Sequence, residues 1–355
     1  MDSGLRSPRR VRASAVRSRA ARVVYAPQFC SICGKGDIRQ RRPAAWVAQV
    51  RPGGHGRRQR QMSEFENKVV IVTGAGGGLG RAHALEFARR GAKVVVNDLG
   101  GSVHGDGGGD MADKVVDEIK AEGGVAIANK ASVSDKAGAK SIVDDAVAEF
   151  GTVDILVNNA GILRDKSFKK MTLDEWDIVM EVHMNGTAYV THAAWPIMYE
   201  KNYGRIVCTS SGSGIWGNFG QSNYGAAKMA MLGFMNVLAL EGASHNIRIN
   251  CLGPGAATRM TATVPGRPDF DPDDPPAERA PALVTPAVLF MCTDDAPTGM
   301  VFQASSGNFS CAQMYSNEGV KLGDSATFED FLAHKDEIMD MSAASPGRQA
   351  PRPSS

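Results

Sequence analysis

The sequence contains no apolar run approaching the roughly 20 residues that a bilayer-spanning helix needs, so the chain is expected to be soluble and to have no membrane partner. Cysteine is scarce, with six in 355 residues, at positions 30, 33, 208, 251, 292 and 311. Cys30 and Cys33 form a CxxC, but no second CxxC or Cys/His pair lies near to complete a zinc site, and no metal is expected. The other four stand singly in apolar surroundings, as buried thiols of a reducing compartment do. Acids are almost missing from the first 61 residues, where fourteen Arg and one Lys face two Asp, a net charge of +13. The remainder carries 25 basic and 36 acidic residues, a net −11, so the overall +2 hides two kinds of sequence. Residues 1–61 are read as a basic extension with no compact fold of its own. An over-extension upstream of a natural start at Met62 ("MSEFENKVVIVTGAG") is the favoured account of it. A targeting segment and a nucleic-acid tail are the alternatives. No nucleic-acid partner is assigned, and the expected location is cytoplasmic, with organellar targeting by the basic segment as the alternative.

What is present is 43% hydrophobic and 22% charged sequence, long enough to bury a large core. From residue 68, short Val/Ile-rich runs alternate with longer amphipathic ones, and no internal repeat is seen. The alternation predicts an α/β fold, a doubly wound parallel sheet of Rossmann-like type, in a single domain with disordered N- and C-terminal tails. Strands are predicted at 68–74, 92–98, 124–131, 153–161, 204–211, 247–255 and 299–307. Helices are predicted near 79–90, 111–122, 135–149, 173–201, 222–243 and 285–293. Near-continuous Val and Ile in the strands implies burial on both faces. The domain is placed at 62–310, followed by a C-terminal extension at 311–341 and a disordered tail at 342–355. "GGSVHGDGGGD" (100–110) and "PGRPDFDPDDPPAERAP" (265–281) are expected to be mobile surface loops.

Five glycines fall within seven positions of "GAGGGLG", at 74, 76, 77, 78 and 80. Between a strand and a helix such a turn lets backbone approach a pyrophosphate, while the helix N-terminus offers amide donors and positive dipole. The pattern here is TGxxxGxG, through Thr73, Gly74, Gly78 and Gly80, with Leu79 between the last two. Asp98 ends the second strand where a ribose diol would lie. A carboxylate there accepts from both hydroxyls and repels a 2′-phosphate, which favours NAD over NADP. A plainer role, opening the turn with Leu99 and Gly100, stays open for Asp98.

"TSSGSGIWGNFGQSNYGAAK" (209–228) carries the reactive groups. Tyr224 and Lys228 are four apart, and so share one face of a helix beginning near Ser222. A neighbouring ammonium, together with an oxidised nicotinamide ring, is expected to favour the phenolate of a group that ordinarily titrates near about 10, making Tyr224 a general base. Ser211 ends the fifth strand at the carboxyl edge of the sheet, where its hydroxyl is placed to hold a substrate oxygen. "NNAG" (158–161) adds Asn159, Ala160 and Gly161 to the same edge.

With these motifs in order, and with Pro254 and Gly255 following, residues 66 to about 310 resemble the short-chain dehydrogenase/reductase family. The resemblance implies NAD(P)-dependent hydride transfer by a tetrad of Asn, Ser, Tyr and Lys, with Lys228 also holding the nicotinamide ribose. At the tetrad Asn the sequence departs from the pattern, since His183 stands there and Asn185 lies two residues on. That His, the long "NDLGG" turn and "SGIWGNFGQSNYGAAK" look like the (3R)-hydroxyacyl-CoA dehydrogenase domains of peroxisomal multifunctional β-oxidation enzymes. A neutral imidazole at His183 is expected to anchor the water relay of the missing carboxamide, a buried structural histidine being the alternative. Thr258 is a candidate contact to the nicotinamide carboxamide, and Ser132 and Val133 are candidates to flank the adenine. The expected function is NAD-dependent interconversion of a secondary alcohol and a ketone on a small-molecule substrate, a 3-hydroxyacyl-CoA. The alternatives are a short-chain reductase of a steroid, sugar or acyl-carrier substrate and a non-catalytic NAD-binding scaffold. Wide apolar surfaces on the helices at 173–201 and 222–243, taken with the family likeness, imply a homodimer or homotetramer.

Overall fold

The apolar run after Lys68 forms the first strand, β1 (Val69–Thr73), and every one of its five residues is buried. In the computed structural model, residues 64–102, 108–263, 269–272 and 274–347 are described. The basic extension, residues 348–355, residues 103–107 of the first expected loop, and residues 264–268 and 273 at the second lie outside them. After β1 come α1 (Gly78–Arg89), β2 (Lys93–Asn97), α2 (Met111–Ala121), β3 (Val125–Asn129), α3 (Lys136–Phe150) and β4 (Ile155–Asn158). The next stretch holds α4 (Leu173–Met180), α5 (Gly186–Glu200), β5 (Gly204–Thr209), α6 (Gly212–Trp216), α7 (Ser222–Glu241) and β6 (Ile247–Gly255). The short α8 (Arg259–Ala262), then α9 (Thr285–Met291), β7 (Val301–Ser305) and β8 (Asn308–Ala312) follow.

The strands form one sheet in the order β3-β2-β1-β4-β5-β6-β7-β8. All pairs are parallel except β7 with β8, which closes one edge antiparallel. The order in which strands are added reverses between β1 and β4, the switch point where open α/β sheets leave a crevice at their carboxyl ends. Because side chains alternate along a strand, Val70 and Val72 pack with Leu85, Phe87, Ile119 and Val288 on one face. Val69 and Ile71 pack with Ile142, Met198, Met231 and Met235 on the other. The sheet is thus covered on both sides, as its Val/Ile content implies.

Three elements differ from the sequence reading. The single helix expected at 173–201 is broken by a π-turn, Glu181–Asn185, between α4 and α5. Such a turn holds one residue more than an α-turn, and it carries His183, whose ring meets the backbone of Ile162. No strand is expected at β8; four of its five residues are exposed, so it lacks a buried alternation that would mark it. The tail is expected to lack regular structure from 342, yet Ser345 and Pro346 pair antiparallel with Ser316 and Tyr315.

Candidate active site

The glycine turn is shaped by contacts that side chains would obstruct. Gly74 has φ +63°, in the left-handed region, and a Cβ on Gly80 would collide with the Gly74 carbonyl oxygen. Gly77 caps α1 and has no side chain to occupy the donors at that helix end. The turn is tied to β4 by Asn159, whose Nδ2 donates to the carbonyls of Thr73 and Gly74, each at 3.0 Å. Thr73 Oγ1 accepts from the amides of Asn159 and Ala160 at 3.0 and 3.1 Å. Thr73 and Gly80 therefore brace the turn from beneath and do not line the cavity above it.

That cavity, about 360 Å³, is lined by Gly74, Gly78 and Leu79 of the turn, by Asp98, and by Ser132 and Val133 at its far end. Asn159, Ala160, Gly161, His183, Ser211, Tyr224, Lys228, Pro254, Gly255 and Thr258 also line it. The structure thus gathers all the sequence-derived candidates around one crevice, with Thr73 and Gly80 just below. Asp98 Oδ2 accepts from the Gly76 amide and Oδ1 from the Gly100 amide, both at 2.7 Å. The turn-opening role considered for Asp98 is therefore present, and a carboxylate with about four lone-pair sites keeps capacity for ribose hydroxyls.

At the other end, α7 is held by Asn223, which is fully buried and donates to the carbonyls of Arg164 and Glu175 at 3.2 and 3.0 Å. Ser210 Oγ donates to the Lys228 carbonyl at 2.7 Å, docking the same helix on β5. These ties place Tyr224 and Lys228 above the carboxyl end of β5, in the same crevice as Ser211. Lys228 Nζ donates to the Thr209 carbonyl at 2.6 Å and lies 5.6 Å from the Tyr224 ring centroid.

The electrostatics correct one expectation. Tyr224 is not acidified in this state: burial pushes its pKa up to about 12, opposed by the neighbouring Ser211 hydroxyl. Burial also pulls Lys228 down to about 8. Desolvation disfavours the charged form of both groups, and the Lys228 ammonium is directed at a carbonyl, not at the phenol. His183 is held well below its usual range, first by burial and then by the Lys228 charge, so the imidazole is neutral. Its Nε2 lies 2.8 Å from the Ile162 carbonyl, to which it donates when protonated, and 3.1 Å from the Ile162 amide, from which it accepts in the other tautomer; the buried Nδ1 has no described partner. The ring stands edge-on to Tyr224, with centroids 5.2 Å apart at 84°. Gly161 is the residue that makes room for it, since a Cβ there would collide with the imidazole.

Several lining residues escape sequence reasoning. Thr209 Oγ1 is a second buried polar atom without a described partner, and Arg259 lines the cavity beside the glycine turn. Ile162, Leu163, Ile178, Val182 and Met260 give it an apolar wall. Only the position of Arg259 just after the Pro254–Gly255 motif marks it in the sequence.

A dinucleotide fits these residues: bare backbone and open helix donors for phosphates, a carboxylate for a ribose, and a small-residue slot beyond it for a base. Residues 68–267 match the short chain dehydrogenase family. The chain belongs to that family of oxidoreductases, whose members use NAD or NADP. It is 52% identical over 262 residues to peroxisomal multifunctional enzyme A of Dictyostelium discoideum, covering 73% of this chain and 57% of that one. Its fold matches the structure of full-length peroxisomal multifunctional enzyme type 2 from Drosophila melanogaster with a TM-score of 0.64 at 38% identity, over 79% of this chain and 46% of that one. A short chain dehydrogenase from Mycobacterium avium matches with a TM-score of 0.67 at 37% identity, over 81% of this chain and 99% of the other. The chain thus spans about half the length of the multifunctional relatives and nearly all of the mycobacterial one. No described helix is long and apolar enough to cross a membrane, and no described cluster of His, Cys, Asp and Glu is arranged to hold a metal ion.

Proposed function

We propose that the chain is an NAD-dependent dehydrogenase that interconverts a secondary alcohol and a ketone on a 3-hydroxyacyl-CoA. The observation that carries the reading is the gathering of Ser211, Tyr224 and Lys228 in the same crevice as the glycine turn and Asp98, with Lys228 Nζ held on the Thr209 carbonyl. The bound nicotinamide supplies the hydride acceptor for oxidation and the donor for reduction. Ser211 orients the substrate oxygen, and Tyr224 takes its proton in the oxidation direction and returns one in reduction. The buried phenol resists ionisation, so positive charge entering the crevice is needed to favour the phenolate. Lys228, whose pKa burial lowers to about 8, exchanges a proton behind Tyr224. The orphaned Nδ1 of His183 and Oγ1 of Thr209 are proposed as the polar atoms that hold water for this relay in place of the tetrad Asn.

NAD is preferred over NADP because the Asp98 carboxylate repels a 2′-phosphate. The acyl-CoA substrate is supported by the relatives' similarity and by the apolar wall of Ile162, Leu163, Ile178, Val182 and Met260, which suits a hydrocarbon chain. The names of the two multifunctional relatives also favour a peroxisomal location over the cytoplasmic one. The decisive assay presents 3-hydroxyacyl-CoA thioesters of several lengths, a hydroxysteroid and an acyl-carrier thioester, each with NAD and with NADP. Turnover confined to the CoA thioesters with NAD is expected; equal turnover on the others defeats the substrate assignment. Tyr224→Phe is expected to lower kcat by at least about a thousandfold while leaving NAD affinity within about threefold, as loss of a general base without loss of a binding contact requires.

A further inference from the structure

The glycine turn contains no basic side chain, and the nearest Arg on α1, Arg81, is paired with Glu118 on α2. Backbone amides alone therefore face the two charges of a pyrophosphate from that side. Only two Lys or Arg residues line the cavity among the described residues, Lys228 and Arg259. Lys228 lies deep, bonded to the Thr209 carbonyl. Arg259 opens α8, and its guanidinium stands over the bare face of the turn: Nη2 lies 3.1 Å, and Cζ 3.7 Å, from where a Gly77 Cβ would be. No carboxylate or other hydrogen-bonding group is paired with it among the described residues.

The backbone under Arg259 is fixed, which gives the guanidinium a defined place. Thr258 and Thr261 form a reciprocal cap, the Thr258 amide donating to Thr261 Oγ1 at 2.8 Å and the Thr261 amide to Thr258 Oγ1 at 3.3 Å. Thr261 Oγ1 also donates to the Ala256 carbonyl at 2.9 Å, pinning the segment to the end of β6. Thr258 in turn packs against Gly78, with Cγ2 3.2 Å from where a Cβ of that glycine would be. A half-buried cation with no partner, held against the donors of a helix N-terminus, completes a site for a doubly charged diphosphate, and a planar fork suits its paired oxygens.

We propose that Arg259 is the cationic wall of the pyrophosphate site, so that α1 amides and the α8 guanidinium grip the diphosphate from opposite sides. The assignment rests on the dinucleotide reading above. Its consequence is that the segment carrying Thr258 and Met260, which also lines the substrate side of the crevice, is anchored over the site by the cofactor it covers.

The test uses the full chain and binding alone. NAD, NADP and ADP-ribose are titrated calorimetrically against the unchanged protein, Arg259→Gln and Arg259→Lys; adenosine, which has the base and ribose but no phosphate, is followed by ligand-observed NMR. Arg259→Gln is expected to weaken NAD and ADP-ribose alike by roughly tenfold or more, as loss of a charged hydrogen-bond partner does, with adenosine unchanged within about twofold and Arg259→Lys between the two. Unchanged NAD and ADP-ribose affinities overturn the proposal, as does a parallel loss of adenosine, which marks a general disturbance of the fold. A loss confined to NADP assigns the guanidinium to a 2′-phosphate instead and also overturns it. Failure of the unchanged protein to bind NAD and NADP at all defeats the dinucleotide reading itself, a result the variants cannot mimic.

Discussion

Asp98 divides its carboxylate between holding the turn and facing a ribose, so its replacement has two effects. Asp98→Ala is expected to raise the ratio of kcat/KM for NADP over NAD by roughly tenfold or more, as relief of like-charge repulsion next to a phosphate predicts. Overall affinity falls as the Gly76 and Gly100 amides lose their acceptor; steady-state kinetics with both cofactors checks this. A second residue governs behaviour in acid. His83 is fully buried on α1, one ring nitrogen bonded to Thr285 Oγ1 at 2.9 Å and the other without a described partner, and burial drives its pKa to about 3. Its folded pKa lies below the unfolded one, so the unfolded chain binds more protons between about pH 3 and 6.5. The contribution of His83 is present above 6.5 and is lost as pH falls, by roughly 1.4 kcal/mol per pH unit in that window. Urea midpoints at pH 7, 6 and 5 are expected to drop, and His83→Gln to show a shallower drop from a lower starting value. At this scale Asp98, Ser211, Tyr224 and Lys228 were legible because fixed spacings on a strand end and one helix face bring them together whatever the surroundings. Arg259 was not, because its place depends on how an irregular segment packs. The acidity of Tyr224 was misread for a related reason: desolvation belongs to the packed interior, not to the YxxxK spacing.

Among elements, the end of β4 and the π-turn constrain each other through one ring. Gly161 follows β4 and His183 sits on the π-turn, and the missing Cβ of the first is filled by the imidazole of the second. Gly161→Ala is expected to lower stability by about 1–3 kcal/mol, the usual effect of overpacking, and to displace His183; urea unfolding and the imidazole NMR resonances report the two effects. Strands β1 to β7 were readable because each is a short apolar run bounded by turn residues. The break in the 173–201 helix was not, since "VMEVHMNGTAYV" keeps helical composition throughout and the wider turn is imposed by Gly161 and Ile162 across the crevice. The antiparallel β8 was missed because it is paired along its backbone yet mostly exposed, leaving no periodic apolar signal.

For the whole molecule, the apolar surface of α7 extends beyond what the sheet covers. Met235 and Ala239 are buried, whereas Val237 and Leu240 are each more than half exposed. That surplus supports the homodimer or homotetramer expected from the sequence. Light scattering coupled to size exclusion is expected to give at least twice the chain mass, and Val237→Glu with Leu240→Lys to shift it toward one chain without changing the fold. A monomeric unchanged protein contradicts the expectation.

The neighbourhood of β1 and β4 also bears on how the chain reaches its native state. The Val69 amide donates to Asp154 across a separation of 85 residues at the amino ends of β1 and β4, and the crevice opens at the opposite, carboxyl ends of the same pair. Closing so long a loop delays the central pairing until β2, β3 and their helices have formed. A ribosome-bound chain must therefore have emerged past residue 158 before the floor of the crevice exists, and during that interval the Val/Ile faces of β1 lack their permanent neighbour. Chaperone capture during synthesis is accordingly expected to peak before β4 emerges and to decline once it docks.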